Sequence, residues 1–120
     1  VHETPARINW RGRPGYGEND PFKPGMIVSN EPGFYKEGGY GIRLENLILC
    51  QELKATEYGR FLHFETLTVV PFDLDAVDVT LLDSKEKQLL NDYHSRVYNE
   101  LSAYMTEEEL VWLKNATRAI

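Results

Sequence analysis

The sequence predicts an α+β fold, an antiparallel sheet followed by two C-terminal helices. Three observations predict it. In the first part of the chain the apolar segments are short and bounded by turn pairs, Pro24-Gly25, Pro32-Gly33 and Gly38-Gly39, as strands joined by tight connections are. In the last third, Leu90, Tyr93, Val97, Leu101 and Tyr104 recur at three and four positions, the period of a helix with one packed face. The 120 residues are 42% hydrophobic and 27% charged, globular proportions that exclude wholesale disorder.

The elements follow in order. Pro5, Pro14, Pro21 and Pro24 alternate with Gly12, Gly15, Gly17 and Gly25, a density that opposes a regular helix. Arg7 to Gly25 therefore reads as an ordered loop, long enough to suggest a functional role. Met26 to Glu31 reads as a first strand. A second runs from about Gly41 to Cys50, and the short turn-rich segment between them predicts antiparallel pairing. Phe61 to Val70, rich in aromatic and β-branched residues, reads as a third strand that Pro71 ends. Asp83 with Glu86 forms a capping pair for a helix over Ser84 to Met105. Thr106 with Glu109 repeats that logic for a short final helix carrying Leu110, Trp112 and Leu113.

Composition narrows the function classes. Lys plus Arg is 13 and Asp plus Glu is 19, a net charge of −6. With no Lys/Arg block, a nucleic-acid partner is not expected. No apolar run approaches the roughly 18 residues that suggest a membrane span. The single cysteine, Cys50, excludes an internal disulfide framework and suits a reducing compartment. The chain opens at Val1-His2-Glu3 with neither initiator methionine nor secretory signal, so a piece of a longer protein stays open as a reading.

The second strand carries the most chemistry. Alternation puts Ile42, Leu44, Asn46 and Ile48 on one face and Arg43, Glu45, Leu47 and Leu49 on the other. Two largely apolar faces predict a central, buried strand. A carboxylate buried there must be paired or bound to a cation. Arg43 and Glu45 are thus either a structural ion pair or a metal ligand beside an orienting guanidinium. Glu31, at the end of the first strand, lies 14 positions before Glu45. A hairpin would bring both carboxylates to one point, where a hard divalent cation would relieve their repulsion. The alternative is two glutamates facing solvent at strand ends.

These residues carry a resemblance. Ser29-Asn30-Glu31-Pro32-Gly33-Phe34-Tyr35 and Tyr40-Gly41-Ile42-Arg43-Leu44-Glu45-Asn46 resemble the two glutamate motifs of the Xaa-Pro aminopeptidases, which belong to the pita-bread metallopeptidases. Val1-His2-Glu3-Thr4-Pro5 resembles that family's short His-Glu motif. Phe64-Glu65-Thr66-Leu67-Thr68-Val69-Val70-Pro71 resembles the strand after the site in the long, cytosolic members, and the helical tail their C-terminal extension. The resemblance spans nearly the whole chain, and the two glutamate motifs together are specific.

The resemblance implies the second half of a pita-bread (creatinase/aminopeptidase-like) fold. Residues 1–72 would be the C-terminal part of the catalytic domain, and 73–120 a helical extension packed on it. It implies two divalent metal ions, usually manganese, held by two aspartates, one histidine and two glutamates. Glu31 and Glu45 match the two glutamates. Glu45 would bridge both ions, and Glu31 would also accept a proton from the attacking water. His2 matches a histidine that is not a ligand and contacts the scissile carbonyl or the tetrahedral intermediate, Arg43 an arginine behind the ligands that would hold Glu45 in one orientation, and Tyr35 a tyrosine of less defined role. The reaction would be hydrolysis of the first bond of peptides with proline at the second position. No residues match the aspartates and the ligand histidine, which should lie upstream, and Thr4 stands where glycine is common. The expectation is a fragment that is inactive alone, partnered by the missing N-terminal part of the same protein, homodimeric and cytoplasmic. The alternative is a non-catalytic peptide-binding or dimerisation module derived from the same fold.

Other residues are read more plainly. His63 is a packing or surface histidine and His94 belongs to the solvated face of the tail helix. Cys50 is an inert buried thiol, and Trp10 and Trp112 are packing residues or interface anchors. Gly12-Arg13-Pro14-Gly15-Tyr16-Gly17 lacks the strand and lysine-hydroxyl ending of a phosphate loop.

Overall fold

The computed structural model describes Ile8 and residues 21–120. The chain divides into two compact units, with the boundary in sequence between Thr68 and Val69. His2, Trp10 and the glycine-rich stretch from Gly12 to Gly17 lie outside the described residues.

The first unit is a sheet structure. Its strands are β1 (Ile27–Asn30), β2 (Gly33–Tyr35), β3 (Gly41–Arg43), β4 (Asn46–Thr56) and β5 (Gly59–Thr66). One sheet has the order β1-β4-β5 and a second pairs β2 with β3, all antiparallel. The single strand expected from Gly41 to Cys50 is therefore two, β3 and β4, with Leu44-Glu45 between them. Pro32 is the physical reason. Leu44 donates its N–H to the Pro32 carbonyl at 3.1 Å, but proline has no N–H to return, so that rung keeps half its bonds. The register itself continues. Asn30 opposes Asn46 and Gly33 opposes Arg43, with two residues on each side in between.

The third strand ends at Thr66, before the expected Val70. Beyond it Leu67 still donates to the Leu47 carbonyl at 2.8 Å. The Leu47 N–H turns to the Thr68 hydroxyl, also at 2.8 Å, so a side chain finishes the ladder. At the β4–β5 turn Gly59 has φ +127°, a conformation that costs little only without a Cβ. β4 is central, as expected, but it is not buried on both faces. Ile48 and Cys50, on one face, are its buried residues, whereas Leu47 and Leu53 are exposed.

The second unit is helical. Asp73 and Asp78 each accept a backbone N–H at the start of a short 3-10 turn, Leu74–Ala76 and Val79–Leu81. Helix α1 (Ser84–Leu101) opens with the expected capping box. Asp83 accepts the Glu86 N–H at 2.8 Å and Glu86 accepts the Asp83 N–H at 2.9 Å, satisfying donors that the first turn leaves orphaned. It stops at Leu101 and tightens into a 3-10 turn, Ser102–Tyr104, short of the expected Met105. Helix α2 (Glu107–Ala116) opens with the Thr106/Glu109 box.

Leu74, Val97 and Leu113 are the buried apolar residues of this unit, and His94 is buried with them. That corrects the expectation of a solvated histidine. Its Nε2 accepts the Phe72 N–H at 3.0 Å, and its ring lies beside those of Phe72 and Tyr93. It serves as the acceptor for a backbone donor 22 residues away. Burial, and secondarily the charge of Arg118, pull its pKa below the ordinary 6.5. Asn91 clamps the chain at Ile120, accepting its N–H at 3.0 Å and donating to its carbonyl at 3.2 Å.

Candidate metal and catalytic site

The site follows from the register of the long hairpin. Backbone bonds close the pairs Met26/Cys50, Pro32/Leu44 and Lys36/Tyr40, so the hydrogen-bonded rungs fall on the even-numbered residues. Glu31 and Glu45, in the gap between the two ladders, lie opposite each other in a non-hydrogen-bonded rung. Such rungs bring side chains closest, with Cα atoms about 4.5 Å apart. The two carboxylates thus stand on one face, side by side.

Like charges directly opposed are destabilising, and Arg43 lies between them. Its Nη1 is 3.7 Å from Glu31 Oε2 and its Nε is 3.5 Å from Glu45 Oε2. Arg43 shares the face of Glu45 two residues on, and is the diagonal neighbour of Glu31. Ser29, two residues before Glu31 on that face, donates its hydroxyl to Glu31 Oε1 at 2.6 Å. Neither carboxylate is deeply buried, with side-chain exposures of 26% for Glu31 and 45% for Glu45. The pairing is therefore imposed by register rather than by the desolvation anticipated for a buried strand.

Tyr35 occupies the same face. A Cβ on Gly33 would fall 2.6 Å from the Tyr35 hydroxyl oxygen, and one on Gly41 would fall 2.7 Å from its ring. The phenol therefore lies across both glycines, and any larger residue at either position would displace it. Its hydroxyl end reaches Gly33, which opposes Arg43.

The structure thus brings together Glu31, Glu45, Arg43 and Tyr35; His2 lies outside the described residues. Ser29 was not singled out from the sequence, although its position on the face of Glu31 was legible there. His63 is exposed on β5 opposite Gln51, and Cys50 is buried.

A family profile described as the C-terminal region of peptidase M24 matches residues 60–120, and one described as metallopeptidase family M24 matches residues 1–52. The chain belongs to metallopeptidase family M24. A probable Xaa-Pro aminopeptidase P of Arthroderma otae is 42% identical to this M24 chain over 125 residues, covering all of the chain and 20% of the relative. A putative Xaa-Pro aminopeptidase of Saccharomyces cerevisiae is 41% identical over 119 residues, covering 98% of the chain and 15% of the relative. The crystal structure of an X-prolyl aminopeptidase from Caenorhabditis elegans, described as a cytosolic enzyme with a di-nuclear active site, is similar with a TM-score of 0.79 and 35% identity. It covers all of this M24 chain, which spans 20% of that structure. The α+β arrangement is accordingly that of part of the pita-bread aminopeptidase fold, and the chain spans about a fifth of its relatives' length.

The donor set can be weighed against the metal ions of such a centre. Carboxylate oxygens suit hard divalent cations, which take about six oxygen ligands or more. Two carboxylates side by side supply the right kind of donor. Among the described residues no group of three His, Cys, Asp or Glu side chains converges. The residues present fit a hard cation in type and could supply part of its coordination.

Proposed function

We propose that this chain forms part of a dinuclear-metal Xaa-Pro aminopeptidase, which hydrolyses the N-terminal bond of peptides whose second residue is proline. The observation that carries this reading is the direct opposition of Glu31 and Glu45 across one rung, with Arg43 within reach of both. Two divalent ions, with manganese as the favoured pair, would supply Lewis-acid activation of water and of the scissile carbonyl. Glu45 would face both ions. Glu31 would bind with one oxygen and take the proton released by the attacking water. Arg43 would hold the two carboxylates in fixed orientation. His2 would direct its imidazole at the carbonyl oxygen as negative charge develops there.

The remaining ligands, two aspartates and a histidine, would come from an N-terminal part of the same protein, in keeping with the fifth of the relatives that this chain spans. The 120-residue chain by itself would then bind manganese weakly and cleave nothing. A cytosolic site of action is supported by the description of the structural neighbour. A homodimer formed through the helical tail is supported by α2, where Val111 and Trp112 are exposed. Light scattering on the full-length protein, with Trp112→Ala as the variant expected to dissociate, tests that point.

The deciding experiment assays the full-length protein with manganese on an Xaa-Pro peptide. Glu31→Gln and Glu45→Gln should each lower kcat/KM by roughly 10²–10⁴-fold and reduce the bound metal. Wild-type-like turnover by either variant would sink the reading. Tight peptide binding without hydrolysis by the wild-type protein would favour the non-catalytic module instead.

A further inference from the structure

The two oxygens of Glu31 have different partners. Arg43 stands 3.7 Å from Oε2, a long ionic contact. Oε1 instead accepts a short bond, 2.6 Å, from the Ser29 hydroxyl. The serine is part-buried on β1 and lies two residues away on the same face. Its bond therefore runs along the strand and does not depend on the neighbouring chain. A glutamate has three side-chain torsions, and the backbone conformation alone leaves several of their rotamers open. A hydroxyl that holds one oxygen narrows that freedom, and Oε2 is the oxygen on the Arg43 side.

We infer that Ser29 is a positioning residue for the metal centre: its hydroxyl holds Glu31 Oε1 so that the carboxylate presents Oε2 to the cation. The inference rests on the two-glutamate reading above and adds a residue to it. Partners that orient a ligand are typically worth about 10–100-fold in metal affinity, and a hydrogen bond to a charged group is stronger than a neutral one. Threonine would keep the hydroxyl and suit the strand equally well. Valine has the shape of threonine without the hydroxyl, so the pair isolates the bond from the packing.

The test uses the metal-free full-length protein, titrated calorimetrically with Mn²⁺, and the manganese-loaded protein assayed on an Xaa-Pro peptide. Ser29→Thr should match the wild type in both. Ser29→Val should bind Mn²⁺ about tenfold more weakly or worse, and its kcat should fall while KM stays within about twofold. Equal Mn²⁺ affinity and equal kcat for Ser29→Val and Ser29→Thr, with Glu31→Gln impaired in both, would overturn the role of Ser29 alone. An unimpaired Glu31→Gln would overturn the two-glutamate reading, and this inference with it.

Discussion

The two units solve different problems. The helical unit, from Val69 onward, buries Leu74, Val97, Leu113 and His94 and closes each α-helix N-terminus with a reciprocal capping box. The sheet unit before it buries only Ile48 and Cys50 among its described residues, and leaves Ile27 56% and Leu47 47% exposed. Ile27 and Leu47 lie on the face that carries Glu31 and Glu45. The unit that holds its own core carries no candidate chemistry. The unit with the candidate site displays apolar surface among its described residues. The difference teaches that the carboxylate rung is positioned by strand register, which a hairpin supplies without a large core of its own.

The largest effect should separate the units by one chemical change made twice. Leu113→Ala empties a fully buried site and should cost about 2–5 kcal/mol, read by urea denaturation of the 120-residue chain. Leu47→Ala removes a half-exposed side chain and should cost less than about 1 kcal/mol. Equal costs would break the comparison.

The next effect is a pH dependence confined to the helical unit. Its origin is the depressed pKa of His94, set first by burial and then by Arg118. A neutral folded histidine and an unfolded one that titrates near 6.5 mean that the unfolded state binds more protons at lower pH. Stability contributed by His94 is thus complete above about pH 6.5 and is lost as pH falls toward the lowered folded value. Protonation at Nε2 would also orphan the part-buried Phe72 N–H, a cost of about 1 kcal/mol. His94→Phe should flatten the slope in thermal melts between pH 7 and 5, although it weakens the fold throughout.

Asp83→Ala removes the acceptor for two first-turn N–H groups and should cost about 1 kcal/mol, measured by helical circular dichroism during denaturation. The smallest effect reverses sign at the site. In metal-free protein Glu45→Gln relieves the charge opposed to Glu31 and should stabilise the sheet unit by less than about 1 kcal/mol, whereas Arg43→Ala should destabilise it by a similar amount. Destabilisation by Glu45→Gln would show that the rung serves the fold rather than the chemistry.

Much of this was legible beforehand. The turn pairs placed the strands, the Asp83/Glu86 and Thr106/Glu109 pairs placed the helix starts, and alternation placed Arg43 with Glu45. The split between β3 and β4 was not read, although its cause, Pro32, was in view; the missing N–H matters only once its partner is known to be Leu44. His94 was misread because the tail's periodicity reports which residues could face inward, not which polar group finds a donor there, here the Phe72 N–H 22 residues away.

The sequence by itself determined the elements, their capping and the glutamate motifs, because each of those depends on residues within one turn of helix or one tight bend. Only the tertiary structure decided that Glu31 faces Glu45 across an unbroken register, that Ser29 and Arg43 approach different oxygens of Glu31, and that a histidine is buried in the helical unit. Those facts depend on which residue stands across from which, and pairing between distant segments is a property of the folded chain rather than of any local stretch.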